Sequence, residues 1–497
     1  MKKFNALSLW LTFLFCSLEL AAQNGLSVID MQVSGPIKNY VIEDLDLDGR
    51  NDLIVSYVTD DKKKSKNRFL AVFLQTADGF QPEPNQIITV DDDAVLYDIA
   101  NVTGDAQKEI IYINSRGIFY YPMVKGLYRR ENAKLLFETY TMFAGADPNN
   151  FEYYDFGRVI TNATYDDLLI PLGGTTLLAT RNDSKNKYSL LTELNTGVTL
   201  KVKRDSDLGF VNGYQQGYII EVLNLNNDQL LDLAFIFGNH IDIYIQGNNK
   251  EFGQLPDKEI TFKSGSQKTQ TQIKMFQDLN GDGLSDVFLE RVDFSDRLDL
   301  KKEFEFYFGS RDSRNIITMA AKPDYVLTQN GVLVKALVED IDGDSKFDLS
   351  VLSYDIGVTN LFNTFLASGI KVNYHLYMQK GNTLAKSATY QKDIDQEINI
   401  RRDYFRNLFY NISCDLNGDG LKELISFRDD KTLVVYLGNQ RTYLSTSKSY
   451  SENITIPENG MNVSSHHIFS KQKDDLVIRY DHDDPPALRN TLKIISK

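Results

Sequence analysis

The sequence predicts an all-β chain folded as a single β-propeller of eight blades, with seven as the alternative count. Three observations predict it. A ten-residue acidic motif recurs eight times, starting at residues 44, 101, 159, 224, 278, 340, 415 and 467. The interval averages about 60 residues, so the copies form one array and leave no separate catalytic domain. Each motif leads into β-rich runs, four short strands per repeat, with no helical apolar period.

In chain order, residues 1–22 read as an export leader. Lys2 and Lys3 supply the charged start, Leu7 to Phe15 the short apolar stretch, and Ala21 and Ala22 small residues for cleavage. Lipid attachment at Cys16 is not expected, because bulky Phe15 precedes it. No later segment reaches the ~18 unbroken apolar residues of a membrane helix. An exported location is therefore expected: secreted, periplasmic or cell-surface. Cys16 and Cys414 are the only cysteines, so the chain beyond the leader has one thiol and no intrachain disulfide. The chain carries 54 Lys+Arg against 68 Asp+Glu, a net charge of −14. A nucleic-acid binder carries the opposite balance, so no such partner is expected.

Residues 23–497 make the ring. The blades fall at approximately 36–92, 93–150, 151–214, 215–268, 269–328, 329–402, 403–459 and 460–497. The last repeat supplies only three strands, near residues 461–469, 476–480 and 491–495. Residues 26–33 are a spare strand upstream of the first repeat. That strand would complete the last blade and leave no open sheet edge.

Four motif copies are strong: DLDLDGRNDL, DLNGDGLSDV, DIDGDSKFDL and DLNGDGLKEL. Oxygen-bearing side chains stand at positions 1, 3, 5 and 9, and an aliphatic residue at position 10. These are Asp44, Asp46, Asp48 and Asp52; Asp278, Asn280, Asp282 and Asp286; Asp340, Asp342, Asp344 and Asp348; Asp415, Asn417, Asp419 and Glu423. Two looser copies offer Asn101, Thr103, Asp105 and Glu109, and Asn224, Asn226, Asp228 and Asp232. Two degenerate copies keep only the position-9 acid, Asp167 or Asp475. In the last, Lys471 stands at position 5, where its ammonium could replace a cation and pair with Asp475.

Carboxylates packed this closely repel one another unless a cation joins them. Calcium suits the set, since it takes six to eight oxygens in flexible geometry, whereas magnesium demands a stricter octahedron. Gly49, Gly283 and Gly420 at position 6 permit the sharp turn. Four calcium sites are expected, and up to six with the looser copies. An EF-hand would need an acid at position 12. That place holds Val55, Leu289, Val351 or Ser426, so the EF-hand is excluded. Solvated Asp-Gly turns would account for one such copy but not for four in phase.

On these motifs the chain resembles the calcium-binding FG-GAP/VCBS repeats of integrin alpha-chain propellers and exported bacterial proteins. The resemblance spans residues 34–497. Phe156-Gly157, Phe237-Gly238 and Phe308-Gly309 occur, but no Gly-Ala-Pro follows them. It implies that the calcium loops are structural, lie on one face of the disc, and leave ligands to bind elsewhere.

The chain has no HExxH, GxSxG, GxxxxGK[ST] or CxxC, and its five histidines are not spaced for zinc. The leading expectation is a binding scaffold for a glycan or protein ligand, on the face opposite the calcium loops. Long insertions fall on that face, at 59–68, 142–158, 204–217, 291–302, 355–371 and 393–405. Their aromatics are candidate contacts: Phe151, Tyr153, Tyr154, Phe156, Phe210, Tyr214, Phe362, Phe365 and Tyr404. One alternative is a calcium-dependent polysaccharide lyase resembling rhamnogalacturonan lyases. The absence of Trp beyond Trp10 and the acidic charge count against it. The other is a purely structural part of an envelope complex.

Overall fold

The computed structural model describes residues 25–497, apart from 60–67, 106, 144, 148, 162–163, 183–186, 198–200, 205–210, 216, 264–267, 296–299, 331–333, 355–369, 397–411 and 460–461. Residues 1–22, expected to be a leader, lie outside the described residues. Among the described residues, no helix is long and apolar enough to cross a membrane.

Among the described residues, eight blade sheets follow one another along the chain, each built on four antiparallel strands; the second carries a fifth strand besides, and the eighth takes its fourth from Ser27–Gln32. Blade 1 is typical: Ile37–Glu43, Asp52–Val58, Arg68–Phe73 and Gln86–Thr89. Its second strand, DLIVSYV, is buried along its whole length. A blade's middle strands are covered on both faces by neighbouring blades, so they carry continuous apolar runs rather than alternation. A buried cluster lies between each pair of neighbouring blades around the ring. One buried cluster joins Val41, Ile54 and Leu70 of blade 1 to Tyr97, Ile110 and Tyr121 of blade 2.

The expected closure is present. Strand Ser27–Gln32 pairs antiparallel with Thr491–Ser496, Ser27 facing Ser496 and Gln32 facing Thr491. Blade 8 is thus completed by the start of the described chain. Across the same seam, Arg479 donates to the Lys38 carbonyl at 2.5 Å, and Tyr40 shares a hydrogen bond with Ser464.

Strands alternate in direction, so the loops joining strands one to two and three to four share a face. The acidic motifs occupy the first of these junctions. Short two-stranded hairpins fill the second junction in blades 2, 5, 6 and 7, at 123–128, 310–318, 379–384 and 438–444.

The 142–158 insertion departs from expectation. Glu152–Tyr153 pairs in parallel with the first strand of blade 2 and adds a fifth strand to that sheet. Phe151 stacks on Tyr97 with ring centroids 4.7 Å apart, and its carbonyl accepts from Asn39 and Ser56. Phe151, Tyr154 and Phe156 are therefore core residues and not the exposed contacts expected of a binding loop. Their own loop buries them because aromatic area gains more from packing between blades than from exposure. Tyr153 stays 38% exposed. Phe210, Phe362, Phe365 and Tyr404 lie outside the described residues, and Tyr214 falls in the short strand Val211–Gln215.

Candidate functional site

Each acidic loop begins as its blade's first strand ends, and its position-1 side chain gathers the turn. Asp340 accepts the backbone N–H groups of Gly343, Asp344 and Ser345 at 2.8–3.1 Å. Asp278 and Asp415 do the same for their own loops. One oxygen of the position-5 acid takes the position-7 N–H, at 2.9 Å in the Asp48, Asp228, Asp282, Asp344 and Asp419 loops. These bonds wind the loop so that side chains 1, 3 and 5 converge.

Three loops bring carboxylates to a common point, with ligand atoms within 4.8 Å of one another: Asp44, Asp46 and Asp48; Asp340, Asp342 and Asp344; Asp415, Asp419 and Glu423. In the Asp278 loop, Asn280 bridges toward Asp282 through its amide, 3.0 Å. Asn417 and Asn226 make the matching contact to Asp419 and Asp228. The Asn101 loop is drawn inward differently: Thr103 donates to Glu109 at 2.7 Å, and Asp105 is exposed.

The donor set fits a hard cation. It is all oxygen, and the buried Oδ1 of Asp342 has no hydrogen-bond partner. An orphaned carboxylate oxygen beside two further carboxylates is costly unless positive charge joins them. Burial, and then the neighbouring acid, raise the pKa of both Asp46 and Asp342. At the first loop Arg50 already pairs with Asp48, so a cation there competes with a guanidinium.

The position-9 acid, expected to complete the calcium shell, has hydrogen-bond partners of its own. All eight are buried: Asp52, Glu109, Asp167, Asp232, Asp286, Asp348, Glu423 and Asp475. One oxygen accepts the N–H of position 2, as Asp286 does from Leu279 at 2.9 Å. In five blades the other oxygen accepts an N–H from the junction of strands three and four: Gln75, Gln246, Gly309, Gln379 or Gly438. In those five blades the acid ties both loops of its blade together; in the degenerate copies Asp167 accepts from the Thr161 N–H and hydroxyl, and Asp475 from the Ile468 N–H, within the first loop. Burial pushes Asp52, Glu109 and Asp232 up to about 6, and Asp286, Asp348 and Glu423 up to about 7, against the pull of those N–H groups.

In the last copy the pairing of Lys471 with Asp475 does not form. Lys471 is exposed, Asp475 Oδ2 takes the N–H groups of Ile468 and Phe469, and Asp475 Oδ1 has no partner. The loop turns its lysine outward because an ammonium is better hydrated there than against a buried carboxylate.

Neighbouring loops are hydrogen-bonded in series. The position-8 N–H of one loop donates to position 1 or 2 of the loop before it: Lys108 to Leu45, Asp166 to Asn101, Phe347 to Leu279, Lys422 to Ile341 and Asp474 to Asp415, at 2.7–3.0 Å. At blade 4, the Leu225 carbonyl accepts instead from Ile317 in the blade 5 hairpin. Position 4 is left-handed as well as position 6. Leu47, Gly104, Asn227, Gly281, Gly343 and Gly418 all have φ between 54° and 78°, where glycine is unstrained and leucine is not. A Cβ on Gly343 would lie 2.6 Å from the carbonyl oxygen of Gly420 in the next loop.

Comparison with known proteins adds three solved structures. No family model matches the chain, and no curated protein matches it. An Agrocybe aegerita lectin that recognises non-reducing terminal N-acetylglucosamine is 12% identical, with a TM-score of 0.38, covering 86% of this chain and 90% of that one. A protein from Lactobacillus plantarum is 11% identical, with a TM-score of 0.31, covering 81% and 96%. BBS1N, solved in complex with ARL6DN, is 9% identical, with a TM-score of 0.33, covering 94% and 95%.

A further cluster of possible metal ligands, Asp481, His482 and Asp483, was not visible as a motif. It sits on the turn after the second strand of blade 8, with His482 strongly exposed.

Proposed function

We propose that this is an exported, calcium-stabilised propeller that serves as a binding scaffold for a glycan or protein ligand, of the FG-GAP/VCBS kind its motifs resemble. The observation that carries the reading is the division of labour on the acidic face. Its carboxylates are committed to winding loops, tying hairpins and joining one blade to the next, which leaves the opposite face for a ligand. Calcium would be held by Asp44, Asp46 and Asp48; by Asp278, Asn280 and Asp282; by Asp340, Asp342 and Asp344; and by Asp415, Asn417, Asp419 and Glu423. There it would supply charge neutralisation and not chemistry. The looser Asn101 and Asn224 loops have fewer carboxylates and bind more weakly.

Thermal unfolding in chelator and in millimolar calcium tests the metal. Extracellular calcium modules bind at about 10⁻⁴–10⁻³ M, so ~1 mM calcium contributes about 1.4 kcal/mol for each site of ~0.1 mM affinity. Three or four sites then give about 4–6 kcal/mol. Identical melting curves with and without calcium refute the metal reading. A glycan array and whole-cell binding, both in calcium, test the scaffold.

A further inference from the structure

A cavity of about 340 Å³ lies between blades 5 and 6. Its blade 5 wall carries Lys274, Glu290 and Lys302, and its blade 6 wall is the run from Val334 to Val338, including Lys335. Three ammonium groups and one carboxylate line a single pocket in a chain of net charge −14. Lys302 and Lys335 stand one residue inside the ends of their strands, at the face opposite the acidic loops.

The polar groups are arranged, not scattered. Glu290 is gripped from two sides, by Lys302 at 3.1 Å and Lys274 at 3.2 Å. Lys302 also donates to the Val334 carbonyl at 2.6 Å, and Lys274 to Gln272 at 2.8 Å. An ammonium has three N–H donors, so each of these lysines has one beyond those contacts. Burial lowers the pKa of Lys335, opposed by Glu339, so an arriving anion would strengthen its hold on the proton. Phe288 and Phe304, both buried, supply apolar lining.

We propose that this pocket binds a sugar acid, its carboxylate shared by the lysines and its hydroxyls donating to Glu290. The inference rests on reading the ring as a ligand-binding scaffold and names one ligand class for it. The lysines call for an anion, but Glu290 repels any anion that brings no donor hydrogens. A phosphate dianion or a plain carboxylate fails on that count. A uronic-acid residue satisfies both, because hydroxyls flank its carboxylate on the ring. The volume, at the small end of the ~300–1,000 Å³ range of ligand pockets, admits one or two sugar rings.

Isothermal titration in calcium tests it, with digalacturonate, its methyl ester, neutral galactobiose and glutarate as probes. Digalacturonate is expected to bind, and the other three to bind roughly tenfold more weakly or worse. The double variant Lys302→Gln/Lys335→Gln is expected to lose about tenfold in digalacturonate affinity. Lys302 also holds the Val334 carbonyl. If the double variant melts early, Lys335→Gln alone is expected to lose at least about threefold with an unchanged melt. Equal binding of the ester or galactobiose, no digalacturonate binding at millimolar concentration, or unaltered affinity in the folded lysine variant overturns the proposal. Array or cell binding that survives the lysine substitutions overturns this pocket while leaving the scaffold reading in place.

Discussion

Replacing Gly343 with Ala tests whether the acidic loops support one another across blades. Gly343 has φ +76°, and an added Cβ meets the Gly420 carbonyl oxygen of the next loop at 2.6 Å. The left-handed backbone alone costs an L-residue about 1–2 kcal/mol. Overpacking against backbone, which cannot swing aside as a side chain can, costs about 1–3 kcal/mol more. The sum is about 2–5 kcal/mol. Gly283→Ala is the control: φ is +82°, nothing lies within 4 Å of its Cβ, and only the backbone cost of about 1–2 kcal/mol applies. At ~2.1 cal/mol/K of unfolding entropy per residue, 1 kcal/mol moves the melting point of a ring this size by about 1 °C. Calorimetry in chelator should therefore place Gly343→Ala a few degrees below wild type and clearly below Gly283→Ala. Coincident melts for the two variants would refute loop-to-loop contact as a source of stability.

Three further outcomes are expected. In chelator the protein should gain stability on acidification from about pH 7.5 to 5. Six position-9 carboxyls titrate at about 6 to 7 in the ring and near 4 when unfolded, so their contribution is full below pH ~4 and is lost as pH rises through 6–7. Urea titrations across that range check it, and a stability that rises with pH refutes it. Leu47→Gly should stabilise the first loop by about 0.5–1 kcal/mol, because Leu47 is 43% exposed and held at φ 55°, so little packing is lost; a lower melting point than wild type would count against this. Cys414 is fully buried, and burial raises its thiol well above the usual range. A chain lacking residues 1–22 should therefore show no reactive thiol when native and one in denaturant.

Much of the ring was legible because its period is carried by residues that physics constrains strongly. The position-10 aliphatics, Leu53 through Leu476, are buried in every blade, and they located even the copies that had lost their acids. The left-handed turn at position 6 was legible through Gly49, Gly283 and Gly420, and Ser345 and Gln229 adopt it without glycine. Less was read from position 2, although Leu45, Val102, Ile160, Leu225, Leu279, Ile341, Leu416 and Ile468 make it as regular as position 10. That regularity marks where backbone N–H groups meet the buried acid. The Phe151–Phe156 segment misled because an aromatic loop and an aromatic plug have the same composition. Only the parallel pairing of Glu152–Tyr153 with the first strand of blade 2 separates them. The pocket between blades 5 and 6 had no signature, since Lys274, Glu290 and Lys302 come from three strands of blade 5 and Lys335 joins them from blade 6.

The pairing of Ser27–Gln32 with Thr491–Ser496 sets an order of events. These partners are separated by nearly the whole chain, so joining them closes a loop whose length-dependent entropy is about 5 kcal/mol. Each blade's own hairpins are local and form without that cost. A growing chain can therefore build its blades one after another, while the first strand waits for the last residues to arrive. Through that interval the Ser27–Gln32 segment and the edge of Thr491–Ser496 are unpaired, and strand exchange between two unfinished copies is the natural error. Joining the two ends by a short linker and opening the chain inside another blade's loop would make the seam local. Such a permutant should refold faster than the native order and yield fewer exchanged dimers at high concentration.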